Sequence, residues 1–216
     1  MGDQVAKVVL LGDGAVGKTS LMRQFVEQKF DDRYITSIGV NVKKKNLDEL
    51  DLTLMIWDLY GQKLNTKLHQ SNYSGAEGAI IVCDLTRKST LDNMDHWIKD
   101  LYTITGPIPI VVVGNKVDLI NDFNTWFSDE ESSEQRFNSY MREHHTNVIN
   151  YYEKVFGKIP EFSMVKEKDL LRWTDEMKEK YDIEIPCFLS SAKTGENVEK
   201  TFLTLGKKVK NNMKEL

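Results

Sequence analysis

The stretch Gly12-Asp13-Gly14-Ala15-Val16-Gly17-Lys18-Thr19 decides the fold of this chain. It fits the pattern G-x-x-x-x-G-K-[ST], in which backbone N–H groups of a glycine-rich loop surround phosphate oxygens. The apolar run 5–11 before it predicts a strand, and the amphipathic segment 18–28 after it predicts a helix whose dipole favours anions. We expect Lys18 to reach the β- and γ-phosphates of a nucleotide and the Thr19 hydroxyl to bind Mg²⁺.

Apolar runs and amphipathic stretches alternate through the rest of the chain, which is typical of a mostly parallel sheet covered by helices. Further strands are predicted at 39–47, 51–59, 79–84, 108–114 and 185–190. Further helices are predicted at 90–103, 165–181 and 197–211. The chain of 216 residues is therefore expected to form a single α/β domain of the P-loop NTPase class.

Composition excludes several other classes of protein. A hydrophobic content of 40% argues against a disordered chain, and a net charge of −4 argues against a nucleic-acid binder. Cys83 and Cys187 lie in short apolar runs, so we expect buried strand residues in a reducing compartment, without disulfides. No apolar stretch approaches the roughly 20 residues of a membrane helix, and no cysteine stands near the end to carry a lipid anchor. A cytoplasmic location is expected.

A second candidate segment is Trp57-Asp58-Leu59-Tyr60-Gly61-Gln62, which follows the third predicted strand. A carboxylate at the carboxyl end of a strand is well placed to hold Mg²⁺, and we expect Asp58 to do so through a water molecule. The N–H of Gly61 is expected to meet the γ-phosphate. Gln62 is expected to orient the attacking water, which makes Gln62 and Lys18 the candidate catalytic residues.

Two further segments predict the choice of base. The carboxylate of Asp118, in Asn115-Lys116-Val117-Asp118, can accept hydrogen bonds from N1–H and the exocyclic amine of guanine. Adenine lacks this pair of donors and would leave the carboxylate buried and unpaired. Ser191-Ala192-Lys193 follows the last predicted strand and can offer a backbone N–H to the guanine carbonyl.

Together these segments resemble the Ras superfamily of small GTPases, most closely the Rab branch. The stretches around Phe30 and 34–40 resemble switch I, and 72–76 resembles the segment after switch II. The resemblance covers about residues 4–119 and 164–210, and it implies a six-stranded sheet with five flanking helices. It also implies exchange factors, activating proteins and effectors that bind through residues 33–45 and 60–75. The residues expected at the nucleotide are Asp13, Gly14, Ala15, Val16, Gly17, Lys18, Thr19, Ser20, Phe30, Tyr34, Ser37, Gly61, Asn115, Lys116, Asp118, Ser191, Ala192 and Lys193.

Two departures from the family pattern affect the switches. Ser37 stands where the family has a threonine, keeps the hydroxyl that binds Mg²⁺, and has Thr36 as an alternative ligand. Tyr60 replaces a small residue beside Gly61 and either alters hydrolysis or points outward. Arg33 in switch I is a further candidate for a stabilising charge in cis.

A third departure is the long interval between Asp118 and Ser191, which indicates a helical insertion at about 122–162. Apolar residues recur every three or four positions in its second half, which predicts one long helix within 129–156, starting at a capping box of Ser128 and Glu131. The apolar face of 136–156 either docks on the domain, which we favour, or binds a partner. A metal site at His144 and His145 is not expected, because adjacent residues of a helix point in different directions.

The predicted function is a switch that binds GTP or GDP with Mg²⁺ and hydrolyses GTP slowly. The alternative is a nucleotide-dependent binding module with little or no hydrolysis, suggested by Ser37 and Tyr60 and opposed by Gln62. A kinase of the same loop class would not explain Asn115, Lys116 and Asp118.

Overall fold

A six-stranded sheet forms the centre of the computed structural model, which describes residues 4–30, 40–59, 71–127 and 133–215. Its strands alternate along the chain with helices, so the predicted α/β class with a mostly parallel sheet is confirmed. The strands are β1 (Gln4–Leu11), β2 (Val40–Leu47), β3 (Leu52–Leu59), β4 (Gly78–Asp84), β5 (Ile110–Asn115) and β6 (Cys187–Ser190).

The helices of the described ranges cover both faces of this sheet. Around the sheet they form two hydrophobic clusters, one on each face. The helices are α1 (Lys18–Glu27), α2 (Lys88–Asp92), α3 (Met94–Thr105), α4 (Val117–Trp126), α5 (Glu134–His144), α6 (Thr146–Phe156), α7 (Glu167–Tyr181) and α8 (Val198–Glu215).

The order of the strands places the carboxyl end of β1 at a topological switch point. The order across the sheet is β2-β3-β1-β4-β5-β6, with only β2 running antiparallel to its neighbour. β1 lies between β3 and β4. After β1 the chain therefore continues first to one side, through β2 and β3, and then to the other side, through β4, β5 and β6. In open α/β sheets ligands bind in the crevice outside the carboxyl ends of the strands at such a point. The loop from Gly12 to Gly17 lies there.

One face of the sheet carries α1 and α8, which pack through stacked Phe25 and Phe202 rings with centroids 4.1 Å apart. The other face carries α3 to α7, which include the helices of the insertion. All residues of β4 and β5 are buried, as expected for central strands covered on both faces. The middle of the sheet is therefore packed on both faces.

The prediction of one long helix in the insertion is wrong. Two helices, α5 and α6, meet at His145, whose φ of −120° and ψ of 54° are not helical. A straight helix over these 23 positions would be about 34 Å long. The bend lets the apolar faces of both helices pack on the same domain. The Ser128–Glu131 capping box lies outside the described residues, and the N-cap observed for α5 is Ser133.

The apolar face of the insertion is docked on the domain, as favoured from the sequence. Phe137, Tyr140, Met141, Val148 and Tyr152 are buried members of the same core cluster as β4 and β5. The ring of Phe137 packs edge-on against Phe123 of α4, with centroids 5.1 Å apart.

Several boundaries differ from the predictions. The helix predicted at 90–103 is α2 and α3, separated at Asn93, whose side chain instead donates a hydrogen bond to Asp13 at 2.8 Å. Helix α4 begins directly after Lys116 and was not predicted. Helix α7 begins at Glu167 rather than 165, because Val165 N donates to the Leu85 carbonyl at 2.8 Å. Cys83 is fully buried, whereas Cys187 on the edge strand is only half-buried.

Within the described residues, no helix is both long and apolar enough to cross a lipid bilayer. The cytoplasmic location and the single-domain organisation stay predictions.

Candidate nucleotide-binding site

The phosphate loop connects β1 to α1 in a conformation that requires glycine at two positions. Gly12 and Gly17 have φ values of 134° and 101°, in the left-handed region. A Cβ on Gly12 would overlap the Val82 carbonyl of β4, and one on Gly17 would overlap the amide nitrogen of Asn115. The glycines of the motif therefore let the loop approach its neighbours closely as well as turn.

Lys18 lies back over this loop as a buried cation. Its ammonium donates hydrogen bonds to the carbonyls of Gly12 at 2.7 Å and Asp13 at 2.9 Å. Only 7% of Lys18 is exposed. Burial lowers its pKa to about 8, against the opposing charges of Asp58 and Asp13. A phosphate placed in the loop would supply the negative charge that this buried ammonium favours.

Thr19 and Asp58 meet at the start of α1. The Thr19 hydroxyl donates to the Asp58 carboxylate at 2.5 Å, and Asp58 is 1% exposed at the end of β3. A hydroxyl and a carboxylate are hard oxygen ligands, which suit Mg²⁺. The described ranges hold no group of three or more His, Cys, Asp or Glu suited to a metal. Mg²⁺ is usually bound by few protein oxygens together with substrate phosphates, so Thr19 and Asp58 are the described residues that could hold it.

The base-recognition segments are connected to the phosphate loop by Asn115. Its amide donates to the Val16 carbonyl at 2.8 Å and accepts from Ala192 N at 3.1 Å. The Ser191 hydroxyl donates to the Asp118 carboxylate at 2.7 Å, which orients that carboxylate. The carboxyl ends of β1, β5 and β6 are thereby joined in one site.

The structure brings together most of the residues expected at the nucleotide. The members of the phosphate loop and of α1, 13–20, lie beside the segments 115–118 and 191–193. Phe30 lies just beyond α1, where it lines a groove with Arg23 and Asn41, and its contact with the base stays a prediction. The residues Arg33, Tyr34, Thr36, Ser37, Tyr60, Gly61 and Gln62 lie outside the described residues.

The sequence analysis missed a buried ionic cluster beside the phosphate loop. The carboxylate of Asp84, at the end of β4, accepts from Lys116 Nζ at 2.7 Å and from Arg87 Nε at 2.9 Å. Thr86 donates to it as well, from its hydroxyl at 2.6 Å and its backbone N–H at 2.9 Å. Burial opposes ionisation, but the charges of Lys116 and Arg87 hold the pKa of Asp84 well below its usual range.

Arg87 extends this cluster to the phosphate loop. Its Nη2 donates to the Gly14 carbonyl at 3.0 Å, and the residue is 8% exposed. A sequence signal existed, because Asp84 ends a buried strand in the way that Asp58 does and Arg87 follows three residues later. Lys116 and Arg87 are therefore both positioned by the same carboxylate.

A sequence profile of the Ras family matches residues 7–211 of this chain. Ras-related protein RABA1c of Arabidopsis thaliana is 35% identical over 164 residues, which are 73% of this chain and 76% of that protein. Rab-7a of Dictyostelium discoideum is 39% identical over 122 residues, 53% of this chain and 60% of that protein. Rab-21 of Homo sapiens is 38% identical over 129 residues, which are 58% of this chain and 57% of that protein. The latter two matches span less than two thirds of the relatives.

The phosphate loop, the carboxylate after β3 and the base-recognition segments define a P-loop protein that binds guanine nucleotides. The chain belongs to the Ras family, with Rab proteins among its relatives, as the sequence motifs predicted. It is a GTP-binding switch protein with GTPase activity.

Proposed function

We propose that the switch hydrolyses GTP with Mg²⁺ held by Thr19, Asp58 and Ser37, and with Gln62 orienting the attacking water. The observation that carries this proposal is the contact between the Thr19 hydroxyl and the buried Asp58 carboxylate beside the ammonium of Lys18. Bound there, Mg²⁺ would neutralise charge on the β- and γ-phosphates.

Lys18 and the loop amides supply the remaining stabilisation. The transition state of phosphoryl transfer spreads negative charge over the γ-phosphoryl oxygens, so fixed positive groups lower the barrier. Lys18 is already oriented by two carbonyls, and Asn115 holds the loop through Val16. Without an arginine supplied in trans we expect a rate on the order of 10⁻⁴ to 10⁻³ s⁻¹.

The base is selected by the carboxylate of Asp118. The hydroxyl of Ser191 donates to one oxygen of that carboxylate and fixes its orientation. A guanine would satisfy the carboxylate through its N1–H and amine, with the segment 191–193 offering a backbone N–H to its carbonyl. Adenine would leave the carboxylate without the two hydrogen bonds that guanine donates, which costs about 1–3 kcal/mol.

Regulators and effectors are proposed to bind through 33–45 and 60–75. Of these residues, 40–45 lie in the edge strand β2, where Val40 and Val42 are 41% and 38% exposed. An edge strand with exposed apolar side chains offers both backbone groups and apolar area to a partner.

Single-turnover cleavage of GTP tests the enzyme. The full chain is mixed with substoichiometric GTP and Mg²⁺, with EDTA and excess ATP in parallel reactions, and Gln62→Leu is compared. We expect slow cleavage that EDTA abolishes, that ATP does not inhibit and that the variant lacks. Tight GTP binding without any cleavage would instead indicate a nucleotide-gated binding module.

A further inference from the structure

The second helix of the insertion, α6, runs along the loops that bind the nucleotide. Its 11 residues span about 16 Å. Its last residue, Phe156, lies against the phosphate loop at Gly14. Four residues earlier, Tyr152 lies beside Lys116 of the base-recognition segment. One helix therefore contacts both of these segments of the site.

In the middle of α6, Tyr152 covers the buried ionic cluster. Its ring centroid is 5.0 Å from the Arg87 guanidinium carbon and 5.9 Å from Lys116 Nζ. The Tyr152 hydroxyl lies 3.5 Å from Asp84 Oδ2. Both cations thus face the π surface of one ring, which is an attractive arrangement when water is excluded, and Tyr152 is 2% exposed.

The Phe156 ring closes the outer side of the phosphate loop. A Cβ built on Gly14 would lie 3.2 Å from Cζ of Phe156, so the ring packs directly on this glycine. Arg87 holds the same residue through its carbonyl at 3.0 Å. Gly14 therefore lies between a hydrogen bond from Arg87 and the ring of Phe156, and Arg87 in turn packs against Tyr152 of the same helix.

The segment that follows the insertion forms hydrogen bonds with the other side of the loop that carries Arg87. Ser163 N donates to the Thr86 carbonyl at 3.0 Å, and Lys88 N donates to the Ser163 hydroxyl at 3.0 Å. Phe162 is 1% exposed and lies next to Tyr152, with ring centroids 6.2 Å apart. The segment that carries Arg87 is therefore enclosed between α6 and residues 162–165.

We propose that α6 is a built-in element that retains the nucleotide, with Tyr152 and Phe156 as positioning residues. They hold Arg87, Lys116 and Gly14 in the geometry that surrounds the phosphates and the base. Release of the nucleotide then requires α6 to lift from the Arg87 loop. The proposal rests on nucleotide binding at this site.

Release of a fluorescent GDP analogue from the full chain tests the role of α6. The loaded protein is mixed with excess unlabelled GTP in Mg²⁺ buffer, and the decay of fluorescence gives the release rate. For Tyr152→Leu, which keeps an apolar side chain but removes the ring face, we expect release about tenfold faster, since a desolvated cation–ring contact is lost. Phe156→Ala should act in the same direction.

Two comparisons separate positioning from a general loss of stability. Tyr152→Phe retains the ring and should release nucleotide at the wild-type rate. Trp126→Ala removes a 71% exposed aromatic residue of α4 and should also leave the rate unchanged. Hydrogen exchange in Tyr152→Leu should quicken at 12–17 and 84–88, while the amides of β5 keep their protection.

Three outcomes overturn the proposal. In the first, Tyr152→Leu and Phe156→Ala fold and release the analogue at the wild-type rate. In the second, exchange quickens equally throughout the sheet, which would make Tyr152 a core residue only. In the third, wild type binds no guanine nucleotide at all, so the proposed function itself fails; the first two leave that function standing.

Discussion

The side-chain amide of Asn115 donates a hydrogen bond to the backbone carbonyl of Val16 at 2.8 Å and so ties base recognition to the phosphate loop. The same amide accepts a hydrogen bond from Ala192 N at 3.1 Å. Asn115 is 1% exposed, so both contacts are shielded from water. One side chain therefore holds the ends of β1, β5 and β6 in register.

Replacing this side chain should affect stability and affinity together. In Asn115→Ala, the Val16 carbonyl and Ala192 N each lose a buried partner, so we expect a loss of about 1–3 kcal/mol in unfolding free energy. GDP affinity should fall with it, because the loops are no longer held together. Urea unfolding and GDP titration measure the two effects. Asn46→Ala, in the β2–β3 hairpin, is the control and should keep wild-type affinity; equal affinity in Asn115→Ala would contradict the prediction.

The affinity for GDP should fall as the pH rises above about 8. Burial lowers the pKa of Lys18 from 10.5 to about 8 in the nucleotide-free protein, and bound phosphates would raise it again. Binding therefore takes up a proton above pH 8, and affinity should fall by at most about tenfold per pH unit there.

Calorimetric titration in two buffers of different ionisation enthalpy detects that proton at pH 9, with pH 7 as the reference.

The stability of the nucleotide-free protein has the opposite trend. The unfolded chain binds more protons between pH 8 and 10.5, so the unfolding free energy contributed by Lys18 rises across that window. Lys18→Met should lack both dependences, and an affinity independent of pH up to 10 in wild type would rule out the lowered pKa.

Gly17→Ala should abolish tight nucleotide binding. Its φ of 101° is strained for alanine, and the added Cβ would overlap the Asn115 amide, so either the loop or Asn115 must move. Gly106→Ala is a matched control, because Gly106 also has a left-handed φ, of 68°, but no atom within 4 Å of a Cβ. The control should cost about 1–3 kcal/mol of stability and leave GDP affinity intact. Similar affinities for the two variants would refute the steric argument.

Asp84→Asn should destabilise the fold by about 3–5 kcal/mol, because Lys116 and Arg87 remain buried without their counter-charge. The pKa of Asp84 lies below that of an ordinary carboxyl, so its contribution is complete at neutral pH and is lost as the pH falls below the ordinary carboxyl range. Urea unfolding at pH 7 provides the measurement. Asp95→Asn removes an exposed pair with Lys180 at 2.7 Å and should cost under about 1 kcal/mol. Equal costs would show that the buried cluster is not held by charge.

The docked insertion can be tested through Phe137. Its side chain is fully buried against Phe123, so Phe137→Ala should cost about 3–5 kcal/mol. Trp126→Ala, at an exposed aromatic residue of the neighbouring helix, should change stability by no more than about 0.5 kcal/mol. A single cooperative transition in both proteins would confirm that the insertion unfolds with the domain. A separate early transition that disappears in Phe137→Ala would instead show that the insertion unfolds independently of the domain.

The phosphate loop, the sheet and the base-recognition segments were predictable from the sequence because their signals are local. Gly12 to Thr19 form a contiguous motif between a strand and a helix, and Asn115 to Asp118 follow the most apolar strand. Parallel strands then bring their carboxyl ends together whatever the details of the helices.

The cluster around Asp84 and the course of the insertion were not predictable in the same way. Asp84, Arg87 and Lys116 are separated in sequence, and their pairing depends on how β4 and β5 lie side by side. The break at His145 is set by two faces that pack on different parts of the domain, a condition that no single window of sequence contains.

The sequence by itself determined the class of fold and the guanine-nucleotide family, and it predicts the residues at phosphate and base, because these signals depend on residue type at short spacing. The tertiary structure alone decided that Tyr152 and Phe156 lie against Arg87 and Gly14. Periodicity shows which face of a helix is apolar, but the surface that the face covers is chosen by packing between segments distant in sequence.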